Sequence, residues 1–338
     1  MSELFEHYSL KTRNSFGIEV STRYFFEATC LDVLLLFIKE RPDSSGQLMI
    51  MGEGSNILFT RSFDGTIIHP AFKGIEVLSE NSEKVQIKVQ SGENWDDFVS
   101  YCVKNNWSGL ENLSLIPGSV GSSPIQNIGA YGMEVKDCII EVEGVFIDSG
   151  KHKVFSNHDC HFDYRSSIFK SELKNKFIIT SVSFELNKNY EFILGYGSVE
   201  KEFRKKPLQN LQSLRQTIIE IRESKLPDPR KLGNAGSFFK NPVIPNSNFT
   251  KLQEKHPDIP FYPAGTEHSK IPAAWLIEHA GWKGVREGNT GTFPGQPLVI
   301  VNYGDASGKE ILDFAKKITD SVFEIFGVKL ETEVNLFV

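Results

Sequence analysis

From Asn112 to Met133 the chain reads NLSLIPGSVGSSPIQNIGAYGM, a run without a single Asp, Glu, Lys or Arg in a protein where those residues make up 24%. Glu111 and Glu134 bracket it. Gly118, Gly121, Gly129 and Gly132 let the backbone turn tightly and approach a ligand closely, because no Cβ intervenes. Serines and turned backbone N–H groups can hold an anion without a full positive charge. The stretch lies between helix-like and strand-like sequence and predicts a cradle for a polar cofactor that carries phosphates. The plainer alternative is an ordinary surface loop, but long structureless loops are uncommon in compact domains and are usually functional.

At 338 residues the length predicts two or three domains. With 40% hydrophobic and 12% aromatic residues the chain can build real cores, which excludes a disordered protein. The longest apolar run, Val33 to Ile38, is far below the roughly 20 residues a bilayer span needs. MSELFEHYSL carries no secretory pattern, so no membrane association and cytoplasmic residence are expected. A net charge of −6 argues against a nucleic-acid partner; the basic residues at Lys201 to Lys206 and at Lys225, Arg230 and Lys231 read as solvated faces. Cys30, Cys102, Cys138 and Cys160 form no CxxC pair and no disulfide framework. His158-Asp159-Cys160-His161, with His152 upstream, has metal-ligand residue types but no standard zinc spacing, so no metal is expected.

Strands are predicted at Val20 to Glu27, Gln47 to Met51, Val85 to Gln90, Cys138 to Ile147, Phe177 to Leu186 and Leu298 to Asn302. Helices are predicted at Leu31 to Lys39, Trp95 to Asn105, Gln209 to Ser224, Pro272 to Ala280 and Lys309 to Phe326. In the last, Ile311, Phe314, Ile318, Val322 and Ile325 are expected on one face, with Gly327 as the stop. Gly52-Glu53-Gly54-Ser55-Asn56 is a second glycine loop after a strand. It is neither a dinucleotide fingerprint nor a P-loop, since Ile57 holds the third glycine position and no GK[ST] follows. Two such loops suit a diphosphate better than either alone. Lys225 to Pro229 reads as a domain boundary, Arg286 to Gly295 as a loop, and Leu330 to Val338 as a β-prone tail that closes a sheet.

Taken together, Asn14-Ser-Phe-Gly17, Gly52-Glu-Gly-Ser-Asn56, Ile116-Pro-Gly-Ser-Val-Gly121, Pro124-Ile-Gln-Asn-Ile-Gly-Ala-Tyr-Gly132, Tyr164-Arg165, Gly233-Asn-Ala-Gly-Ser-Phe-Phe-Lys-Asn-Pro242 and Glu331-Thr-Glu-Val334 resemble the UDP-N-acetylenolpyruvoylglucosamine reductase family. The match runs in order over nearly the whole chain, and segments 124–132 and 233–242 are its most specific parts. The resemblance implies an α+β fold. An FAD-binding domain of the vanillyl-alcohol-oxidase (PCMH) type, about residues 17–189, is built from subdomains 1–75 (joined by the tail 329–338) and 76–224. A substrate-binding domain follows at 225–328.

The same resemblance implies a non-covalent FAD, NADPH as hydride donor, a UDP-sugar substrate and a monomer. Reduced flavin passes hydride to the enolpyruvyl ether of UDP-N-acetylglucosamine, giving UDP-N-acetylmuramate for the cell wall. Hydride added at the terminal carbon leaves negative charge beside the carboxylate, which needs stabilisation and then a proton. By the family pattern Ser237 gives the proton, while Arg165 and Glu333 stabilise the intermediate. The implied FAD contacts are Gly52, Glu53, Gly54, Ser55 and Asn56, then Pro117, Gly118, Ser119, Gly121, Ser122, Ser123, Ile125, Gln126, Asn127, Gly129, Ala130 and Tyr131. Tyr196 matches a tyrosine that covers the substrate in the longer-loop subtype, and Lys225, Asn241 and Gln296 match substrate-side positions. Thr332 stands where many members have proline and Asn335 where a basic residue is common. Two rival readings are a related FAD oxidoreductase with another substrate, and a non-enzymatic nucleotide or UDP-sugar binder that would purify colourless.

Overall fold

Val85, Ile87 and Val89 are buried while Lys84, Gln86 and Lys88 face outward, and this alternation sets the larger sheet. The structure, a computed structural model, describes residues 4–41, 46–189 and 191–338; the first three residues of the amino-terminal stretch lie outside it. In the five-stranded antiparallel sheet the order is His152–Ser156, Ile139–Phe146, Phe177–Asn187, Lys84–Gln90 and Ile75–Glu80. Its outer face pairs Lys88 with Glu143 and Lys84 with Glu185. Its inner face packs Val85, Ile87, Val142, Val182 and Phe184 against Trp95, Phe98 and Cys102 of the helix Trp95–Lys104. Leu113 and Val120, from the uncharged stretch, are wholly buried in that same core.

A four-stranded sheet has the order Leu4–Ser9, Ser21–Ala28, Phe63–Pro70 and Gln47–Ile50. Phe63–Pro70 runs parallel to both Ser21–Ala28 and Gln47–Ile50. It is buried on both faces, so its sequence shows no alternation to mark it as a strand. Phe37 of the helix Leu31–Glu40 stacks on Phe26, with ring centroids 3.7 Å apart. The chain divides into two units. The first comprises residues up to Tyr8, Thr22–Glu53 and Phe63–Arg222; it contains both of these sheets.

The second unit comprises Ser9–Ser21, Gly54–Ser62 and Glu223–Val338. Its four-stranded antiparallel sheet has the order Gly233–Ser237, Gln296–Asn302, Thr290–Phe293 and Arg286–Glu287. The stretch read as a loop at 286–295 is thus largely a hairpin, with Gly288 at positive φ (58°) in its turn. The tail strand Asn335–Phe337 pairs in parallel with Ile57–Phe59. The helix Gly308–Phe326 starts with a Ser307/Glu310 capping box and stops at Gly327, whose φ is 66°. Its buried stripe is Ile311, Phe314, Ile318, Val322 and Phe326; Ile325, expected there, is 50% exposed. Both follow Val322 within one turn, but the step of four keeps Phe326 on the buried side.

Candidate functional site

In the first unit, the uncharged stretch is held by its own polar atoms, by the residues just before it and by bonds to the segments at 163–167 and 193. Ser119 and Ser122 form a capping box around the short 3-10 turn Val120–Ser122. The backbone N–H groups of Val120 and Gly121 donate to the carbonyls of Glu93 and Ser91. Gly121 must lack a side chain, since a Cβ would come within 2.4 Å of Ser91 Cβ. The Ser123 hydroxyl donates to Val120 O and that of Ser167 to Ile125 O. Gly52 lies against Ser119, where a Cβ would meet Oγ at 3.2 Å, so the strand Gln47–Ile50 delivers the start of the second glycine loop beside this turn.

Those contacts test the fit of a phosphate-bearing cofactor. The stretch 112–133 contributes no carboxylate of its own, carries several hydroxyls, and is closed to a side chain at Gly121 and tight at Gly52. Among the described residues the backbone N–H groups of Gly52 and Gly118 have no protein acceptor. Gly118 is buried. Donors of that kind suit a diphosphate. The site residues Gly52, Ser119, Gly121, Ser122 and Ser123 are therefore gathered in one place.

Asn127 is fully buried and anchors the next turn. Its Nδ2 donates to Glu134 Oε2 (2.9 Å) and Asp163 O (3.1 Å), and its Oδ1 accepts from Lys136 N–H. Arg165 reaches the same turn: Nη2 donates to Gly129 O at 2.7 Å and Nη1 to Asn127 O at 3.5 Å. Lys170 Nζ donates to Arg165 O and Gln126 Oε1. The Asn112 amide, 1% exposed, donates to Tyr131 O and to Ile193 O, each at 2.9 Å. That one side chain joins the hairpin Gly129–Glu134 to the segment carrying Tyr196, whose ring stands edge-on to Tyr131 at 6.1 Å. Tyr131 packs against the buried cluster of Val199, Phe203, Leu214, Ile218 and Ile221, and burial raises its phenol pKa against the opposing charge of Arg222.

Backbone strain marks the same region. Among the described residues, nine other than glycine have positive φ. Six are Asn, Asp or His, which tolerate that conformation. The remaining three are Leu115, Tyr131 and Arg165, all in this cluster. Each such position costs about 1–3 kcal/mol and persists only where its surroundings over-determine it, as functional sites do.

Sequence reasoning did not single out Arg222. Its Nε is buried with no hydrogen-bond partner among the described residues, and burial lowers its pKa. The available signal was the spacing of Arg215 and Arg222, seven residues apart on the helical face of Leu211, Leu214, Ile218 and Ile221. Burial pushes Cys138 and Cys160 up to about 12 and Cys102 well above its usual range, which disfavours a thiolate at these three.

The second unit gathers the other motif segments. Asn14 folds its own turn, donating to Leu10 O and Ile18 O and accepting from Ile18 N–H. Gly54 has φ 63° and abuts Arg13, where a Cβ would sit 1.9 Å from the carbonyl oxygen. Asn234 is buried, its amide donating to Pro227 O and Leu232 O and its N–H to Ser15 O. Gly236, with φ 70°, turns the chain so that half-buried Ser237 pairs in register with Val299. Phe238 and Phe239 are buried behind it.

The tail then runs alongside. Glu333 N–H donates to Phe238 O at 2.8 Å, Phe239 bridges Thr332, and Lys240 N–H donates to Glu331 O. Half-buried Glu333 is therefore fixed next to the residue after Ser237, while Glu331 is exposed and contacts Lys240 at 3.5 Å. Asn56 Nδ2 donates to Glu333 O, and Asn335 Nδ2 to Asn56 O. Asn241 Oδ1 accepts Ala273 N–H at the start of the helix Ala273–His279. Gln296 opens the strand that pairs with Ser237, and the Lys225 carbonyl lies 3.6 Å from where a Cβ on Gly295 would be.

Two family descriptions match the sequence: "UDP-N-acetylenolpyruvoylglucosamine reductase, C-terminal domain" over residues 228–337 and "FAD binding domain" over residues 24–156. The UDP-N-acetylenolpyruvoylglucosamine reductase of Flavobacterium johnsoniae is 44% identical over 337 residues, covering 99% of each chain. That of Bacteroides fragilis is 45% identical over 330 residues, covering 98% of this chain and 99% of its own. The crystal structure of the Thermus caldophilus reductase shares the fold, with a TM-score of 0.67 at 20% identity, covering 100% of this chain and 99% of the other.

Proposed function

The chain belongs to the UDP-N-acetylenolpyruvoylglucosamine reductase family, and from that premise we propose how its own residues carry the reaction. It is an FAD-binding oxidoreductase that reduces UDP-N-acetylenolpyruvoylglucosamine in peptidoglycan synthesis. The observation that carries this activity is identity sustained along the whole length, through both halves of the chain.

The finer assignments extend it. FAD, when bound and reduced by NADPH, would supply the hydride chemistry that the enolpyruvyl group requires. Gly52 to Asn56 and the stretch from Pro117 to Tyr131 would hold that cofactor, as the hydroxyls and bare backbone of both and the lack of charged side chains in the second would favour. Arg165 binds the substrate carboxylate, for which its planar fork is suited. The strained backbone at Arg165 and its bond to Gly129 support a preorganised role there. Ser237 donates its hydroxyl proton to the carbon beside the carboxylate, and Glu333 stabilises the charge that precedes this transfer. The bond from Glu333 N–H to Phe238 O supports assigning the two to one step. Tyr196, Lys225, Asn241 and Gln296 contact the UDP-sugar. The FAD-binding part spans 1–75 and 76–224 with the tail 329–338, and the substrate part spans 225–328. Residence in the cytoplasm and action as a monomer belong to the same proposal. Among the described residues no helix is long and apolar enough to cross a membrane.

An absorbance spectrum of the purified protein, taken before and after NADPH and again after the enolpyruvyl UDP-sugar, tests the whole sequence. Flavin bands that bleach with NADPH and return with substrate under anaerobic conditions are expected. Bands that bleach but do not return would mean another acceptor.

A further inference from the structure

The first turn of the helix Trp95–Lys104 grips the uncharged stretch at three points. Trp95 Nε1 donates to Leu113 O at 2.9 Å, Trp95 N–H donates to Gly118 O at 3.0 Å, and Asp96 Oδ1 accepts Leu115 N–H at 2.5 Å. Leu115 is one of the three bulky residues at positive φ, 58°, and among the described residues its N–H has Asp96 as its acceptor and no other. Asp96 also takes a two-pronged ion pair from Arg215, Nη1 to Oδ1 at 2.7 Å and Nη2 to Oδ2 at 2.9 Å. The Arg215 side chain is 9% exposed and that of Asp96 25%. A forked, largely buried pair fixes orientation as well as distance. Arg215 stands on the helix Leu211–Lys225, seven residues before Arg222. The carboxylate thus ties three elements together: its own helix, the strained turn at Leu115, and the helix that carries Arg222 and Lys225.

We propose that Asp96 is a positioning residue for the flavin reaction, holding the turn Leu113–Gly118 in the shape that receives the cofactor. This rests on the reading of residues 112–132 as the flavin cradle. Without the carboxylate, the Leu115 N–H loses its acceptor and the strained turn relaxes. The cofactor must then reorder the turn on binding, which weakens affinity without touching the reacting atoms. Buried Arg215 would also lose its counter-charge, so some loss of fold stability accompanies the effect.

The test is FAD titration of apoprotein prepared from wild type, Asp96→Ala, Asp96→Asn and Gly52→Val, at a temperature where melting curves show each fully folded. Asp96→Ala is expected to weaken FAD binding about tenfold or more and to change the visible circular dichroism of bound flavin. Asp96→Asn keeps an oxygen for Leu115 and should fall between the two; it also serves if the alanine variant does not fold. A merely structural role would lower the melting temperature and leave FAD affinity and the dichroism unchanged, and that result would overturn the inference. Gly52→Val places a side chain in the cradle and should abolish FAD binding. If it binds FAD normally, the cradle itself is misassigned and the inference falls with it; if only the Asp96 variants bind normally, the cradle stands and Asp96 has no part in it.

Discussion

The stretch 112–132 and the segment Gly233–Asn241 are both glycine-rich and both carry family motifs, yet they are held by different means. The first has almost no regular secondary structure. Its shape comes from serine hydroxyls, the amides of Asn112 and Asn127, and the Asp96 carboxylate, and it forces Leu115 and Tyr131 to positive φ. The second opens as the strand Gly233–Ser237 and continues beside the tail. Pairing with Gln296–Asn302 and the bonds to residues 331–333 fix it, and the one residue at positive φ is Gly236, which tolerates it. A loop that must wrap a ligand on several sides cannot rely on a ladder, so it needs many separate side-chain bonds. A single hydroxyl that must be placed at one point can be placed by register alone.

This contrast can be broken at the hydroxyl first. Ser237→Ala should leave NADPH-driven flavin reduction intact and slow reoxidation by substrate by roughly 10²- to 10⁴-fold, the usual loss for a proton donor. Stopped-flow absorbance separates the two half-reactions, and unaltered reoxidation removes Ser237 from the mechanism. Next in size is steric. Gly54→Ala meets the Arg13 carbonyl at 1.9 Å in addition to its φ of 63°, and should lower stability by about 3 kcal/mol or more in denaturant titration.

Asn112→Ala strips the carbonyls of Tyr131 and Ile193 of their donor, costing about 1–3 kcal/mol. Because those bonds join the cradle to the Tyr196 segment, KM for the UDP-sugar should rise more than the dissociation constant for FAD. An equal rise in both would assign Asn112 to the cradle alone. Gly236→Ala has the same sign of φ as Gly54→Ala but open space around its Cβ, so it should cost only about 1 kcal/mol. A loss as large as that at Gly54 would show that strain, not contact, dominates both.

The smallest effect is on pH. Burial raises the Asp96 pKa, but Arg215 and the Leu115 N–H outweigh it and hold the carboxyl below its ordinary value. Its contribution to stability is therefore complete above the unfolded value, near about 4, and is lost as pH falls through the lower folded value. Melting curves of wild type and Arg215→Met should stay separated at constant distance from neutral pH down to that point and converge below it.

Long periodic segments were legible in the sequence. The helix Gly308–Phe326 and the strand Lys84–Gln90 fall within a residue or two of expectation, because one side of each meets a core and the other meets water; Phe177–Asn187 does so although buried at nearly every residue, on its long β-branched and aromatic run, which Asp64-Gly65 interrupts in Phe63–Pro70. Phe63–Pro70 was not legible, being buried on both faces, and Arg286 to Phe293 hid a hairpin among glycines and polar residues. Exposure of Ile325 and burial of Phe326 turned on a step of one position that periodicity alone leaves open.

The sequence by itself determined that a neutral, glycine- and serine-rich stretch exists, that a second glycine loop follows a strand, and which motif residues match a flavoenzyme family. Those are properties of residue type and order, and they survive without coordinates. Only tertiary structure decided that Asp96, Leu115 and Arg215 meet, that Asn112 spans two loops, and that Glu333 rather than Glu331 lies against Phe238. The physical reason is that such bonds join residues tens to hundreds of positions apart. Their partners are chosen by how the sheets and helices pack, which no local pattern records.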